Sequence, residues 1–184
     1  MNTIFIGWDS RFPEPGLVAA HHFRKRSSQP LDIRFLDLRH LKDCYGFNPE
    51  PDPKASTEFT RSRFLVPWLM NYEGVALFVD NDILPLGDVC ELFDQSRYPA
   101  ALHVVKHDYH VPEGLKMYGA AQTNYPRKLW SSVMLMDCTK LKCWTKELVE
   151  SGPCSRLHRF EAVSYTHLRA HETKANLVCR LLLE

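Results

Sequence analysis

Asp80-Asn81-Asp82 is the stretch of this chain whose residue types and spacing point most directly to chemistry. It follows Val75-Ala76-Leu77-Phe78-Val79, a continuous apolar run of the kind that forms a strand buried on both faces. Carboxylates at i and i+2 of an extended backbone point to the same side. At the carboxyl end of a strand, where open α/β sheets gather their ligands, such a pair can grip one divalent cation and leave its other positions to phosphate oxygens. Carboxylate oxygens suit the hard ions Mn²⁺ and Mg²⁺, and an ion held this way neutralises charge on a departing diphosphate. A bare Asp-x-Asp is also a turn former. Position singles this one out: no other occurs in the chain, and it closes the most buried-looking strand. Two carboxylates beside a sheet repel and call for a cation or a basic neighbour.

The elements that must carry this pair alternate between strand and helix patterns, which predicts an α/β domain. Ile4-Phe5-Ile6, closed by Gly7, reads as the first strand, and 15–25 as a helix with Pro15 near its start. Residues 31–36 alternate apolar and charged residues as a half-exposed strand does, and the proline-rich 45–54 reads as a loop. The spacing of Phe59, Arg63, Val66 and Met70 predicts a helix over 56–70, kinked or shortened at Pro67. A short helix is expected over 88–94 with Asp88 as its cap. Strands are expected over 100–105 and 133–136, and a helix over 139–150 with Leu141, Trp144 and Leu148 inward.

The 184 residues, 45% hydrophobic and 24% charged, have the composition of one soluble domain. A formal net charge of +1 argues against nucleic acid or an anionic membrane as the main partner. No apolar run approaches the roughly 20 residues that span a bilayer. The N-terminus lacks the basic start and apolar stretch of a secretory signal. The 6 cysteines form no C-x-x-C pattern, so reduced thiols in a cytoplasmic protein are expected. The absence of G-x-G-x-x-G and Walker motifs leaves dinucleotide-dehydrogenase and P-loop readings without support.

The C-terminus reads differently from the rest. Val163-Ser164-Tyr165-Thr166-His167-Leu168-Arg169-Ala170-His171-Glu172-Thr173 resembles one reading frame of the transposase-end adapter of sequencing libraries. Lys174 to Asn176 stand where a variable index would, and residues 177–184 resemble the primer that follows it. The expected organisation is therefore an authentic domain over 1–162 and an artefactual tail over 163–184, which is set aside from fold reasoning. The competing reading of the tail is an amphipathic helix through Leu177, Arg180, Leu181 and Glu184.

Within 1–162 the run Leu77-Phe78-Val79-Asp80-Asn81-Asp82-Ile83-Leu84-Pro85-Leu86-Gly87-Asp88-Val89-Cys90-Glu91-Leu92-Phe93 resembles the metal-site segment of family 8 glycosyltransferases. That family's pattern is a hydrophobic strand, D-x-D, a few apolar residues, then Gly-Asp-x-x-Glu-Leu and an aromatic residue. Ser56 to Pro67 is similar to its helix carrying an arginine, and Arg63 stands seventeen residues ahead of Asp80 as that arginine does. Phe5-Ile6-Gly7-Trp8-Asp9 resembles the first strand and its nucleotide-holding loop.

The resemblance implies a GT-A fold, a Rossmann-like mixed sheet flanked by helices, here C-terminally incomplete. It implies metal-dependent transfer of a sugar, with retention, from a nucleotide-sugar donor to an unknown acceptor hydroxyl, a UDP-sugar being the expected donor. Asp80 and Asp82 would hold the Mn²⁺ or Mg²⁺, and Asn81 would touch the ribose. Arg63 would face the donor's diphosphate or sugar, where a guanidinium suits anionic oxygens. Asp9 and Ser10 would lie near base and ribose. Where the family commonly has Asn-x-Gly, this chain has Leu129-Trp130-Ser131-Ser132, so Ser131 or Ser132 is the substitute for that donor-sugar contact. The family's third metal ligand, a histidine in a later motif, has no counterpart before Ala162. An inactive fragment of an active parent is therefore expected. No nucleophile is identified.

The alternatives are a nucleotidyltransferase using the same carboxylates and a fragment that binds a nucleotide without turnover. Lys106, His107 and Asp108, after the 100–105 strand, are candidates for the acceptor side. His107 and His110 lack the further ligands a zinc site needs. The polar stretch 111–128 is a candidate lid or an ordinary loop.

Overall fold

A computed structural model of the chain describes residues 1–53, 55–94, 99–106, 114–115, 121–122, 130–163, 168–171 and 179–181. The elements in chain order are β1 (Asn2–Gly7), α1 (Glu14–Lys25), β2 (Leu31–Leu36), α2 (Leu38–Tyr45), α3 (Val66–Leu69), β3 (Val75–Val79), β4 (Ile83–Pro85) and α4 (Cys90–Phe93). β5 (Leu102–Val105), β6 (Gly114–Leu115), β7 (Ala121–Gln122), β8 (Val133–Asp137), α5 (Lys146–Ser151), α6 (Cys154–His158), β9 (Leu168–His171) and β10 (Cys179–Leu181) complete them.

The main sheet is 6-stranded in the order β2-β1-β3-β8-β5-β9. β1 runs parallel to β2 and β3, and β9 parallel to β5, while β8 is antiparallel to both β3 and β5. The expected mixed α/β sheet is thus observed, with β1 and β3 side by side so that both carboxyl ends open on one edge of the sheet. Period-2 alternation sorts the side chains into two cores. Ile4, Ile6, Leu77 and Val79 meet Ala19, Ala20 and Phe23 of α1 on one face. Phe5, Ala76 and Phe78 meet Phe59, Phe64, Leu65 and Trp144 on the other.

Several expected elements are corrected. The helix over 56–70 is replaced by turns, a 3₁₀ segment at Ser62–Leu65 and the single turn of α3. Pro67 sits in the first turn of α3, where its missing N–H costs nothing, so it starts a helix rather than kinking one. The helix over 139–150 is also shorter. Asp137 accepts from Thr139 N, and Thr145 caps α5 by accepting from Leu148 N, so two caps divide the segment. Leu141 and Trp144 are nonetheless fully buried, as expected. The helix of 88–94 contracts to α4, with Asp88 Oδ1 accepting from Cys90 N at 3.0 Å. α2, β4 and α6 are additional. The tail over 163–184, set aside from fold reasoning, contributes β9 and β10, which pair with β5 and β4; β10 is a strand where the competing reading has a helix. Of the candidate lid, β6 and β7 form an antiparallel pair and the rest lies outside the described residues.

Gly7 fixes how the second core approaches the sheet. A Cβ there would lie 2.5 Å from the Phe59 ring, far inside van der Waals contact. Gly7→Ala is expected to lower stability by about 1–3 kcal/mol through overpacking, measured as a shift of the urea midpoint. An unchanged midpoint would show that the Phe59 ring yields freely.

Candidate functional site

The site is built where β3 ends. Val79 pairs with Val133 of β8, and the chain then turns: Asp80 N donates to Ser132 O at 2.9 Å, and Ile83 N to Asp80 O at 3.3 Å. β1 runs alongside in the register Ile6↔Val79, so Trp8, Asp9 and Ser10 leave the sheet next to Asp80. Asp80 is half-buried, Asn81 partly buried and Asp82 exposed.

Arg63 comes up beneath this turn from the 3₁₀ segment and is only 6% exposed. Its guanidinium carbon lies 5.2 Å from the ring centres of both Phe59 and Phe78, so two aromatic faces replace much of its lost hydration. Nη1 donates to Ser131 O at 2.9 Å and to Ser131 Oγ at 3.3 Å. The same nitrogen is 2.8 Å from Asp80 Oδ1. With its N–H groups directed at Ser131, that last approach is an ion pair rather than an aligned hydrogen bond, and the buried Asp80 Oδ1 has no aligned donor among the described residues. Burial pushes the Asp80 carboxyl up to about 7, against the pull of Arg63 and with a further push from the neighbouring Asp82. The Asp82 carboxyl is also raised, chiefly by the protein crowding around it although part of its surface reaches solvent.

The remaining expected site residues divide. Asp9 is 4% exposed and bonded to Arg11, whose Nε donates to Oδ1 at 2.7 Å, and Glu58 N approaches its Oδ2 at 3.4 Å. The Arg11 guanidinium holds the Asp9 carboxyl below the usual range. Ser10 N and Oγ both donate to the Glu58 carboxylate, at 2.7 and 2.8 Å. The loop after β1 is therefore tied to the segment leading to Arg63, and Asp9 and Ser10 stand at the rim with their polar groups engaged inside the protein. Ser131 and Ser132, expected to replace a donor-sugar contact, are buried and serve the site from behind. Ser131 takes Arg63, and Ser132 O takes the Asp80 amide. Lys106 follows β5 and so leaves the sheet at the same edge as Asp80, with β8 between them. His107 and Asp108 lie outside the described residues.

His158 is the site residue that sequence reasoning misses. Its Nδ1 lies 3.0 Å from Ser131 Oγ across 27 residues, a pairing that no local spacing signals. Among the described residues no three His, Cys, Asp or Glu side chains gather to hold a metal ion. Asp80 and Asp82 fit a divalent cation by their donor chemistry and by the undirected lone pairs of the buried Asp80 oxygen. No helix among the described residues is long and apolar enough to cross a membrane.

The raised Asp80 sets a pH dependence. Between the ordinary 3.8 and about 7 the folded protein holds a proton that the unfolded chain has released, so stability falls as pH rises through that window. The lowered Asp9 acts below it. Urea midpoints of metal-free protein are expected to decline from pH 4 to 7 more steeply for the wild type than for Asp80→Asn, which cannot titrate. Parallel profiles would show that Asp80 ionises as an ordinary carboxylate.

No family model matches the chain. It is 42% identical over 160 residues to Protein CDI of Arabidopsis thaliana, covering 86% of this chain and 62% of that protein. The chain thus spans under two thirds of that relative's length. Among solved structures it is similar to the glycosyltransferase GlyE of Streptococcus pneumoniae TIGR4, with TM-score 0.54, 14% identity, and coverage of 95% of this chain and 46% of that one. The bifunctional glycosyltransferase WbbM superposes with TM-score 0.60 at 13% identity, over 92% of this chain and 38% of that one. The galactosyltransferase LgtC, solved with donor and acceptor sugar analogs, gives TM-score 0.53 at 14% identity, over 91% and 72%. The chain has the GT-A-like fold that these glycosyltransferases share.

Proposed function

We propose that this chain carries the donor site of a metal-dependent glycosyltransferase acting on a nucleotide-sugar, a UDP-sugar foremost, with Asp80 and Asp82 as its cation ligands. The observation that carries the reading is the Asp80 carboxylate at the end of β3. It is half-buried against the caged Arg63, beside a second carboxylate, and its buried Oδ1 has no aligned donor among the described residues. The likeness in fold to glycosyltransferases supports it.

In the proposed reaction the bond between the sugar's anomeric carbon and the diphosphate oxygen breaks, and the nucleoside diphosphate leaves with the electron pair. The acceptor hydroxyl oxygen bonds to that carbon and its proton passes to the departing diphosphate oxygen, and the family resemblance implies retained configuration. A divalent cation supplies Lewis acidity toward the leaving diphosphate when bound. Arg63 adds a fixed positive charge on the same side, held in place before the ligand arrives. Lys106 is the described candidate for the acceptor side. Residues 163–184 are proposed to lie outside the functional unit, a reading supported by their adapter-like sequence.

Calorimetric titration of the chain with UDP, with and without Mn²⁺, tests the reading. Mn²⁺-dependent binding is expected, weakened at least about tenfold by Asp80→Asn or Asp82→Asn, as removal of a ligand requires when even outer-shell changes cost that much. Equal binding by wild type and both variants would discard the metal role.

A further inference from the structure

Arg63 is steered by one nitrogen. Nη1 alone makes the contacts to Ser131 and Asp80, while Nε is buried without a hydrogen-bond partner among the described residues. The orientation of the guanidinium therefore depends on how firmly Ser131 is held. Ser131 Oγ accepts from Arg63, and His158 Nδ1 at 3.0 Å is its second hydrogen-bond partner. The His158 ring also stands edge-on to Phe64 at 5.0 Å, so it touches the residue next to Arg63 as well as the serine that Arg63 grips.

His158 is itself pinned. It ends α6, and two residues later Phe160 adopts φ 55 while fully buried. A non-glycine residue holds that left-handed conformation only where packing enforces it. Phe160 packs against Phe64 at 6.3 Å and Trp144 at 6.5 Å, which fixes the end of α6 on the Arg63 segment.

From this geometry we infer that His158 is a positioning residue for donor binding: acting through Ser131, it fixes the Arg63 guanidinium in the orientation that meets the donor's diphosphate. The inference rests on the glycosyl-transfer reading above and adds to it a residue outside the metal segment.

The test uses the full chain with His158→Phe, which keeps a ring against Phe64 but no Nδ1, and His158→Asn, which restores a polar atom near that position. Ser131→Ala serves as a second route to the same loss. Nitrogen-15 NMR of arginine-labelled protein reads Arg63 directly, and UDP titration in Mn²⁺ reads its consequence. His158→Phe and Ser131→Ala are expected to average the resolved Arg63 guanidinium signals and weaken UDP binding about fivefold, the scale of one lost hydrogen bond. His158→Asn is expected to recover both, and the thermal midpoint of each variant to fall by no more than the few degrees that one lost hydrogen bond costs. Resolved Arg63 signals in His158→Phe overturn the inference, as does averaging without any change in UDP affinity. Absence of Mn²⁺-dependent UDP binding by the wild type would instead discard the glycosyl-transfer reading. The NMR comparison alone would then decide whether His158 orients Arg63.

Discussion

The buried charge of Arg63 is the constraint around which this end of the molecule is arranged. A guanidinium at 6% exposure needs replacement for its lost water, and the chain supplies it from separate directions. Phe59 and Phe78 give aromatic faces, Ser131 gives a carbonyl and a hydroxyl, and Asp80 gives the counter-charge. Each donor reaches back into the fold. Phe59 can approach only because Gly7 has no side chain, and Phe78 is presented by the alternation of β3. Ser131 sits where the antiparallel β8 begins, so the reversal of strand direction brings its carbonyl to Arg63.

Such a pair is a poor device for stability. Removing one partner of a buried ion pair costs about 3–5 kcal/mol, yet replacing both with apolar groups is often neutral or favourable. The raised pKa of Asp80 makes the same point from inside the structure, since burial outweighs the attraction of Arg63. An arrangement that pushes its own carboxylate toward the neutral form gains from any further positive charge placed beside it. This behaviour supports the proposed reading, in which these groups are set for a ligand rather than for the fold.

The five expected strands and the first helix, α1, were legible in the sequence, while the helices over 56–70 and 139–150 were not, for a physical reason. β3 is apolar on both faces, and its five residues leave little choice of conformation or depth. Asp80 and Asp82 were legible with it because the end of a buried strand is a defined place. The segments 56–70 and 139–150 have helical spacing of apolar residues, but their length is set by side-chain caps and by packing on the sheet, which overrule periodicity. His158 had no local mark, because its partner is chosen by where α6 docks. The strands formed by 168–171 and 179–181 follow from a different rule. The edge of β5 that takes 168–171 and the edge of β4 that takes 179–181 present backbone donors and acceptors that pair with nearly any extended segment, so pairing there carries little information about the sequence that provides it.

The same charges argue for what the site receives. Arg63 with two ionised carboxylates sums to one net negative charge, the wrong sign for a diphosphate. One divalent cation reverses that sign without moving any side chain, and it also removes the repulsion that raises Asp80 beside Asp82. In the proposed reading cation and anionic ligand are mutually dependent: the cation would be held more tightly once phosphate oxygens complete its shell, and the anion admitted once the cation has changed the local charge. A site that is repulsive to its ligand until the ion arrives is thereby selective for the two together. This selectivity needs only a pair of acids at a strand end and one guanidinium that cannot turn away.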